Sequence, residues 1–126
     1  MKSEALEKTE AECAEGRTAP RVSLSDIEAA ILYQVSFTGT DAIEAMQGPY
    51  PPSFTGNVLQ DIPDSLDVLT IHLLVMRNGF TIIGKSAPAS AANFDPELGR
   101  KLAYEDAIRQ IWPLMGFALR ERLHLG

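Results

Sequence analysis

Apolar residues recur at every second position from Leu69 to Met76, then at helical spacing from Leu98 onward. This change of period organises the chain. In residues 69–76, Leu69, Ile71, Leu73 and Val75 share one face of a predicted strand; Thr70, His72, Leu74 and Met76 share the other. Asn78-Gly79 follows, the strongest short hairpin signal, because a two-residue type I′ turn needs positive φ at both positions. Residues 80–85 are the predicted return strand. Pairing Arg77 with Phe80 sets the register, with Val75 opposite Ile82 and Leu74 opposite Ile83. The first face is wholly apolar and is expected to carry a helix. The second is half apolar and needs another cover, for which a second subunit is suited.

Beyond the hairpin, residues 86–93 are small and polar and predict a loop. Asp95 is placed to cap a helix with Pro96 at its first position. Leu98, Leu102, Glu105, Arg109 and Trp112 then form one stripe, which Ile108 and Ile111 widen. Pro113 is expected to kink or break the helix after Trp112, leaving a last helical piece over residues 114–123. Upstream, Ser23 or Ser25 can cap a helix in which Ile27, Ala30 and Ile31 repeat, ending near Val35. A second short helix is predicted over residues 40–46. Gly48-Pro49-Tyr50-Pro51-Pro52 then interrupts regular structure, and residues 47–67 read as a long irregular loop. Residues 1–21, rich in Glu, Lys, Ala and Thr, read as a disordered or frayed tail. The expected fold is therefore α+β. A small antiparallel sheet packs with C-terminal helices, an N-terminal helix is added, and residues 22–126 form one domain.

Composition narrows the function classes. At 126 residues, with 22% charged and 45% hydrophobic positions, the chain has an ordinary globular balance. No apolar run approaches the roughly 20 residues needed to span a bilayer. The charged N-terminus lacks the apolar core of a secretory signal, and the one cysteine, Cys13, has no partner for an internal disulfide. A cytoplasmic location is expected. The net charge of -6 is unevenly spread. Residues 1–75 hold four basic and twelve acidic side chains, whereas residues 76–126 hold seven basic and five acidic. That distribution argues against general nucleic-acid binding, which needs a basic face. It leaves room for a small anionic ligand, which needs only two or three cations.

The chemistry-bearing residues are few. His72 and His124 are the only histidines, and no zinc spacing or nucleophile elbow exists. No acid/base pair stands out, so neither metal nor cofactor is expected and the residues favour binding over catalysis. His72 is expected to be satisfied by a cross-strand neighbour. Arg109 lies inside the stripe with Leu98, Leu102 and Trp112. It either pairs with Glu105 or holds a phosphate. Phe80 either packs in the core or offers a stacking surface for a base. Lys85, Ser86, Ser90 and Asn93 lie on a loop leading to a helix N-terminus, where backbone N–H groups can meet an anion. Asp95 already brings negative charge there. Arg100, Lys101, Arg120 and Arg122 read as solvated residues.

Several of these positions also carry a resemblance. Asn78-Gly79-Phe80, Gly84, Ser86-Ala87, Asn93-Phe94-Asp95, Gly99-Arg100-Lys101, Ala103, Ala107, Ile111-Trp112-Pro113-Leu114 and Gly116-Phe117 resemble, in order and spacing, a family of small phage proteins described as gene-49/gene-66-like. The match covers about 45 residues. The sequence departs from the family pattern at Lys85, where an acidic residue is usual, and at Pro88, where cysteine is usual. Residues 37–67 look like an insertion. The family resembles the phage anti-Thoeris sponge proteins, which sequester cyclic ADP-ribose signals. That resemblance implies a small cyclic nucleotide ligand, with cyclic oligonucleotides as a wider class. It also implies a homodimer or a hexamer built as a trimer of dimers, with ligand near subunit interfaces. Phe80, Lys85, Ser86, Ser90, Asn93, Arg100 and Arg109 are the candidate ligand contacts. The alternative is an adaptor that binds a host protein through the half-apolar sheet face or the loop at residues 48–67.

Overall fold

The computed structural model describes residues 3–17, 19–46 and 62–126. Its elements are α1 (Glu4–Ala14), α2 (Leu24–Ala30), β1 (Ile31–Thr38), α3 (Gly39–Ala45), β2 (Thr70–Met76), β3 (Thr81–Ser86) and α4 (Pro96–Leu125). The three strands form one antiparallel sheet in the order β1-β2-β3, and α4 lies across it. The α+β class is as expected. Most of the predicted 47–67 loop, residues 47–61, lies outside the described residues, and Asp64–Asp67 forms a short 3-10 turn.

Side-chain caps set the helix starts. Ser23 and Asp26 form a reciprocal capping box on α2, and Thr38 and Asp41 do the same on α3. Asp95 accepts from the N–H groups of Glu97 and Leu98, and Pro96 occupies the first position of α4, where its missing N–H costs nothing. The helix expected from Ser23 stops early, at Ala30. The chain then becomes β1, because Tyr33, Val35 and Phe37 alternate with Gln34 and Ser36 and favour an extended pleat over a helix.

The hairpin register also differs from expectation by one residue. Met76 N–H donates to the Phe80 carbonyl and Gly79 N–H to the Met76 carbonyl, both at 2.8 Å. Leu74 therefore faces Ile82, and Leu73 faces Ile83. Only Gly79 is left-handed, at φ 90°, and Asn78 keeps negative φ. The connection is a three-residue loop with glycine at its left-handed position, not a two-residue type I′ turn. Asn78 contributes through its side chain, whose Oδ1 accepts the Phe80 N–H at 2.9 Å.

The helix covers the face that was expected to be left over. Thr70, His72, Leu74 and Met76 are buried beneath α4, with Ile82 and Gly84 from β3. The wholly apolar face stays half-buried at Ile71, Leu73 and Val75, and open at Tyr33 and Ile83. Close approach explains this choice. A Cβ at Gly84 would stand 2.1 Å from the Ala103 carbonyl oxygen and 2.8 Å from the Ala107 Cβ. The α4 backbone thus rests on a strand position with no side chain. Farther along, a Cβ at Gly99 would stand 2.6 Å from Thr70 Oγ1. Asp106 accepts the Lys85 N–H, and Gln110 donates to the Ile83 carbonyl, so α4 side chains satisfy the outer edge of β3.

Two further expectations are corrected. The segment expected as a frayed tail forms α1, with Leu6 and Ser3 buried. Ser3 caps α1 through the Leu6 N–H and donates to Glu105. One buried leucine, the Ser3 cap and the contacts of Glu10 with Arg21 and the Leu24 N–H dock an otherwise polar helix. The second correction concerns Pro113, which lies inside an unbroken α4. The proline frees only the Arg109 carbonyl, and both residues are exposed, so water can satisfy it.

Substituting Gly84 with Ala is expected to destabilise the fold by about 1–3 kcal/mol, the usual range for overpacking. Gly116→Ala, where an added Cβ meets nothing within 4 Å, is expected to stabilise it by about 0.5–1 kcal/mol. Urea denaturation of both variants measures the contrast.

Candidate ligand-binding site

Of the buried polar residues, Ser3, His72 and Glu105 are hydrogen-bonded within the fold, whereas Thr70 Oγ1 has no partner among the described residues. His72 Nδ1 hydrogen-bonds with Ser36 Oγ, directly across the β1–β2 pair, and Nε2 meets Gln34 Oε1 at 2.9 Å. The Tyr104 ring meets the imidazole edge-on, with centroids 5.5 Å apart. Burial holds His72 below the usual histidine range and pushes the Tyr104 phenol up to about 12. His72 is satisfied by cross-strand neighbours, as expected. Among the described residues, no group of three or more His, Cys, Asp or Glu side chains could hold a metal ion.

A groove of about 640 Å³ lies elsewhere, between α2, the hairpin turn and the C-terminal half of α4. Its apolar lining includes Val22, Met76, Phe80, Ile111, Leu114, Met115 and Leu119. Arg21, Arg77 and Arg122 border it, with Asp26 as the one acidic group in the lining. The turn places Phe80 there with its side chain 51% exposed. Arg77 is fixed from behind, since its N–H donates to the Ala30 carbonyl and its Nε to the Ala29 carbonyl, both at 2.8 Å. The end of α2, rich in free carbonyls, thus anchors a cation at the groove's edge. Arg122 reaches the groove because it continues the helical series Ile111, Met115 and Leu119.

Of the residues singled out from sequence, only Phe80 lines this groove. Lys85 and Ser86 lie at the opposite end of β3, about 17 Å along the strand. Ser90 precedes and Asn93 ends a short 3-10 turn, and both are exposed. Arg100 borders a separate small pocket of about 60 Å³ with Thr70, Asp41 and Phe94. Arg109 projects outward on α4 beside the exposed Leu98 and Leu102. Its possible partner Glu105 is buried and bonded to Ser3, and the one ion pair among the described residues joins Arg21 to Glu10. One chain therefore does not bring Phe80 together with the other six. Sequence reasoning missed Arg21, Arg77 and Arg122. Arg77 flanks the Asn-Gly turn and Arg122 keeps helical phase with Ile111, and those were the available signals. For Arg21 no local signal existed, since it reaches the groove through the docking of α1 and α2.

A third cavity, of about 620 Å³, lies between the C-terminal end of α1 and α4, lined by Cys13, Arg17, Arg21, Trp112 and Gly116 among others. Trp112 donates from Nε1 to the Val22 carbonyl at 3.1 Å. Among the described residues no helix is long and apolar enough to cross a membrane.

Comparison with known proteins gives one match. The family model described as "Phage protein (N4 Gp49/phage Sf6 gene 66) family" matches residues 22–123. No curated protein and no solved structure matches.

The buried imidazole generates a pH prediction. Below the ordinary histidine value of 6.5, the unfolded chain takes up a proton that folded His72 resists. Stability is therefore complete above that value and falls as pH drops beneath it. Urea midpoints are expected to decline from about pH 7.5 to about pH 5.5, and His72→Gln to flatten that decline. An equal slope in both proteins would assign the effect to other groups.

Proposed function

We propose, from the premise that this chain belongs to the phage protein (N4 Gp49/phage Sf6 gene 66) family, that it captures a small cyclic nucleotide and holds it without hydrolysis. In this reading it is an anti-defence sponge in the host cytoplasm. It lowers the free concentration of an immune signal, a cyclic ADP-ribose isomer or a related cyclic oligonucleotide. The observation that carries the reading is the groove beside the hairpin turn. Its volume suits a ligand of this size, an exposed aromatic offers a stacking face, and arginines stand at the rim to meet phosphates. Phe80 stacks the base, and Arg77 and Arg122 pair with phosphate oxygens. The resemblance to anti-Thoeris sponges supports the ligand class.

The remaining candidate contacts join the site only through assembly. Lys85, Ser86, Ser90, Asn93, Arg100 and Arg109 lie away from Phe80 within one chain, so a neighbouring copy supplies them to a shared ligand. The open apolar face of the sheet, with Tyr33, Leu73 and Ile83, is the surface on which copies pair. The same face gives the adaptor reading its support, since a host protein could cover it instead.

The test is to incubate the protein with cyclic ADP-ribose, remove free nucleotide, denature by heat and chromatograph the supernatant. Intact ligand is expected. Product would indicate an enzyme, and no nucleotide would favour the adaptor. Phe80→Ala and Arg122→Ala are each expected to weaken capture about 5-fold to 100-fold, as loss of a stacked base or a charge-assisted contact does. Undiminished capture by Phe80→Ala would remove the groove from the proposal. In light scattering, Leu73→Asp is expected to lower the mass of the assembly, and with it the contribution of Arg109→Ala to binding.

A further inference from the structure

Arg21 is shared between two neighbours. It borders the groove with Arg77 and Arg122, and it also borders the cavity beside α1. Its Nη2 meets Glu10 Oε1 at 2.6 Å, while Nη1 is shielded from solvent and has no hydrogen-bond partner. A guanidinium nitrogen left in that state is costly, and a rearrangement of Arg21 that turned it to an anion would relieve the cost. Glu10 is held in place as the competitor. Its second oxygen accepts the Leu24 N–H at 2.9 Å, so one carboxylate joins α1, Arg21 and the start of α2. The hydrogen bond from Arg21 also keeps the Glu10 carboxyl below the usual range.

The rest of α1 is fastened unevenly. Ser3 and Leu6 are buried at its N-terminal end, whereas Glu7, Lys8, Thr9, Glu12 and Cys13 are exposed. Beyond Leu6, the polar contact holding the helix down is that of Glu10. Glu10 and Arg21 both precede residue 22, where the family match begins. The pair therefore lies ahead of the matched stretch.

We propose that α1 is an acidic strap on the groove: Glu10 occupies Arg21 until the phosphate of a ligand takes its place. This rests on the groove being the nucleotide site. Exchange of one anion for another leaves the charge of Arg21 compensated throughout, and the C-terminal end of α1 lifts while Leu6 stays seated. The strap thus sets a threshold, admitting a ligand whose anion outcompetes a neighbouring carboxylate.

The experiment uses the full chain and cyclic ADP-ribose as the probe, titrated calorimetrically into the parent, Glu10→Gln, Glu10→Asp, Arg21→Gln and the Glu10→Gln/Arg21→Gln double variant. Glu10→Gln is expected to bind about 3-fold to 10-fold more tightly, and Glu10→Asp, which keeps the charge, to stay near the parent. Arg21→Gln is expected to erase the effect of Glu10→Gln. A second readout needs no ligand. Cys13 is the single cysteine and lines one cavity with Trp112. A bimane on Cys13 is expected to be quenched by Trp112 and to brighten in Glu10→Gln. If Glu10→Gln binds no more tightly and the bimane stays dark, while binding by the parent still depends on Phe80, the strap is overturned and the groove stands. If no variant takes up the probe, the groove reading fails and the strap with it.

Discussion

The contact between α4 and the sheet at Gly84 sets the geometry of most of the molecule. The helix backbone lies so near β3 that even one methylene there would collide with the Ala103 carbonyl. Small residues on the helix, Gly99, Ala103 and Ala107, follow the same line. This depth brings the larger neighbours into range. Tyr104 reaches His72, and Ile108 and Ile111 join Leu74, Met76 and Ile82 in one core. Dispersion fades over a gap of about 1 Å, so a helix held farther out would lose much of this packing together. It would also lose the reach of Asp106 and Gln110 to the edge of β3.

The same contact decides which side of the sheet is covered. Counting apolar residues favours the face with Ile71, Leu73 and Val75. Counting volume favours the face with Gly84, where a helix can approach closely. Volume prevails: His72 on that face is satisfied by Ser36 and Gln34, and Thr70 fits against Gly99 with its hydroxyl left without a hydrogen-bond partner among the described residues. The consequence is a sheet whose more apolar side remains open. That inversion is invisible to a hydropathy pattern, because the pattern ranks faces by transfer energy and is silent about how near two backbones can come.

Elements with strong local chemistry were legible from sequence. The caps at Ser23 and Asp95 and the position of the hairpin depend on side chains acting over three or four residues, and each is found where expected. Features settled by tertiary contact were not. The β1 strand begins inside a stretch whose first residues keep helical spacing, and α1 docks through Leu6, Ser3 and Glu10. The turn differs from the Asn-Gly expectation because Asn78 uses its side chain to support the loop and leaves the left-handed conformation to Gly79 alone. The site divides the same way. Phe80 was marked by its place beside the turn. The arginines around it come from residues 21, 77 and 122, which no window of sequence holds together.

The unbroken passage of α4 through Pro113 gives the groove an unusual wall. From Pro113 to Leu125 the helix runs on for about 18 Å, and Leu114, Phe117, Leu123 and Leu125 along it are exposed. It is built like a cantilever, clamped over the sheet and free at its tip. A tilt of about 10° at the proline, where one backbone hydrogen bond is missing, moves that tip about 3 Å. A bend at that one joint would therefore widen or narrow the groove without any change in the residues that line it.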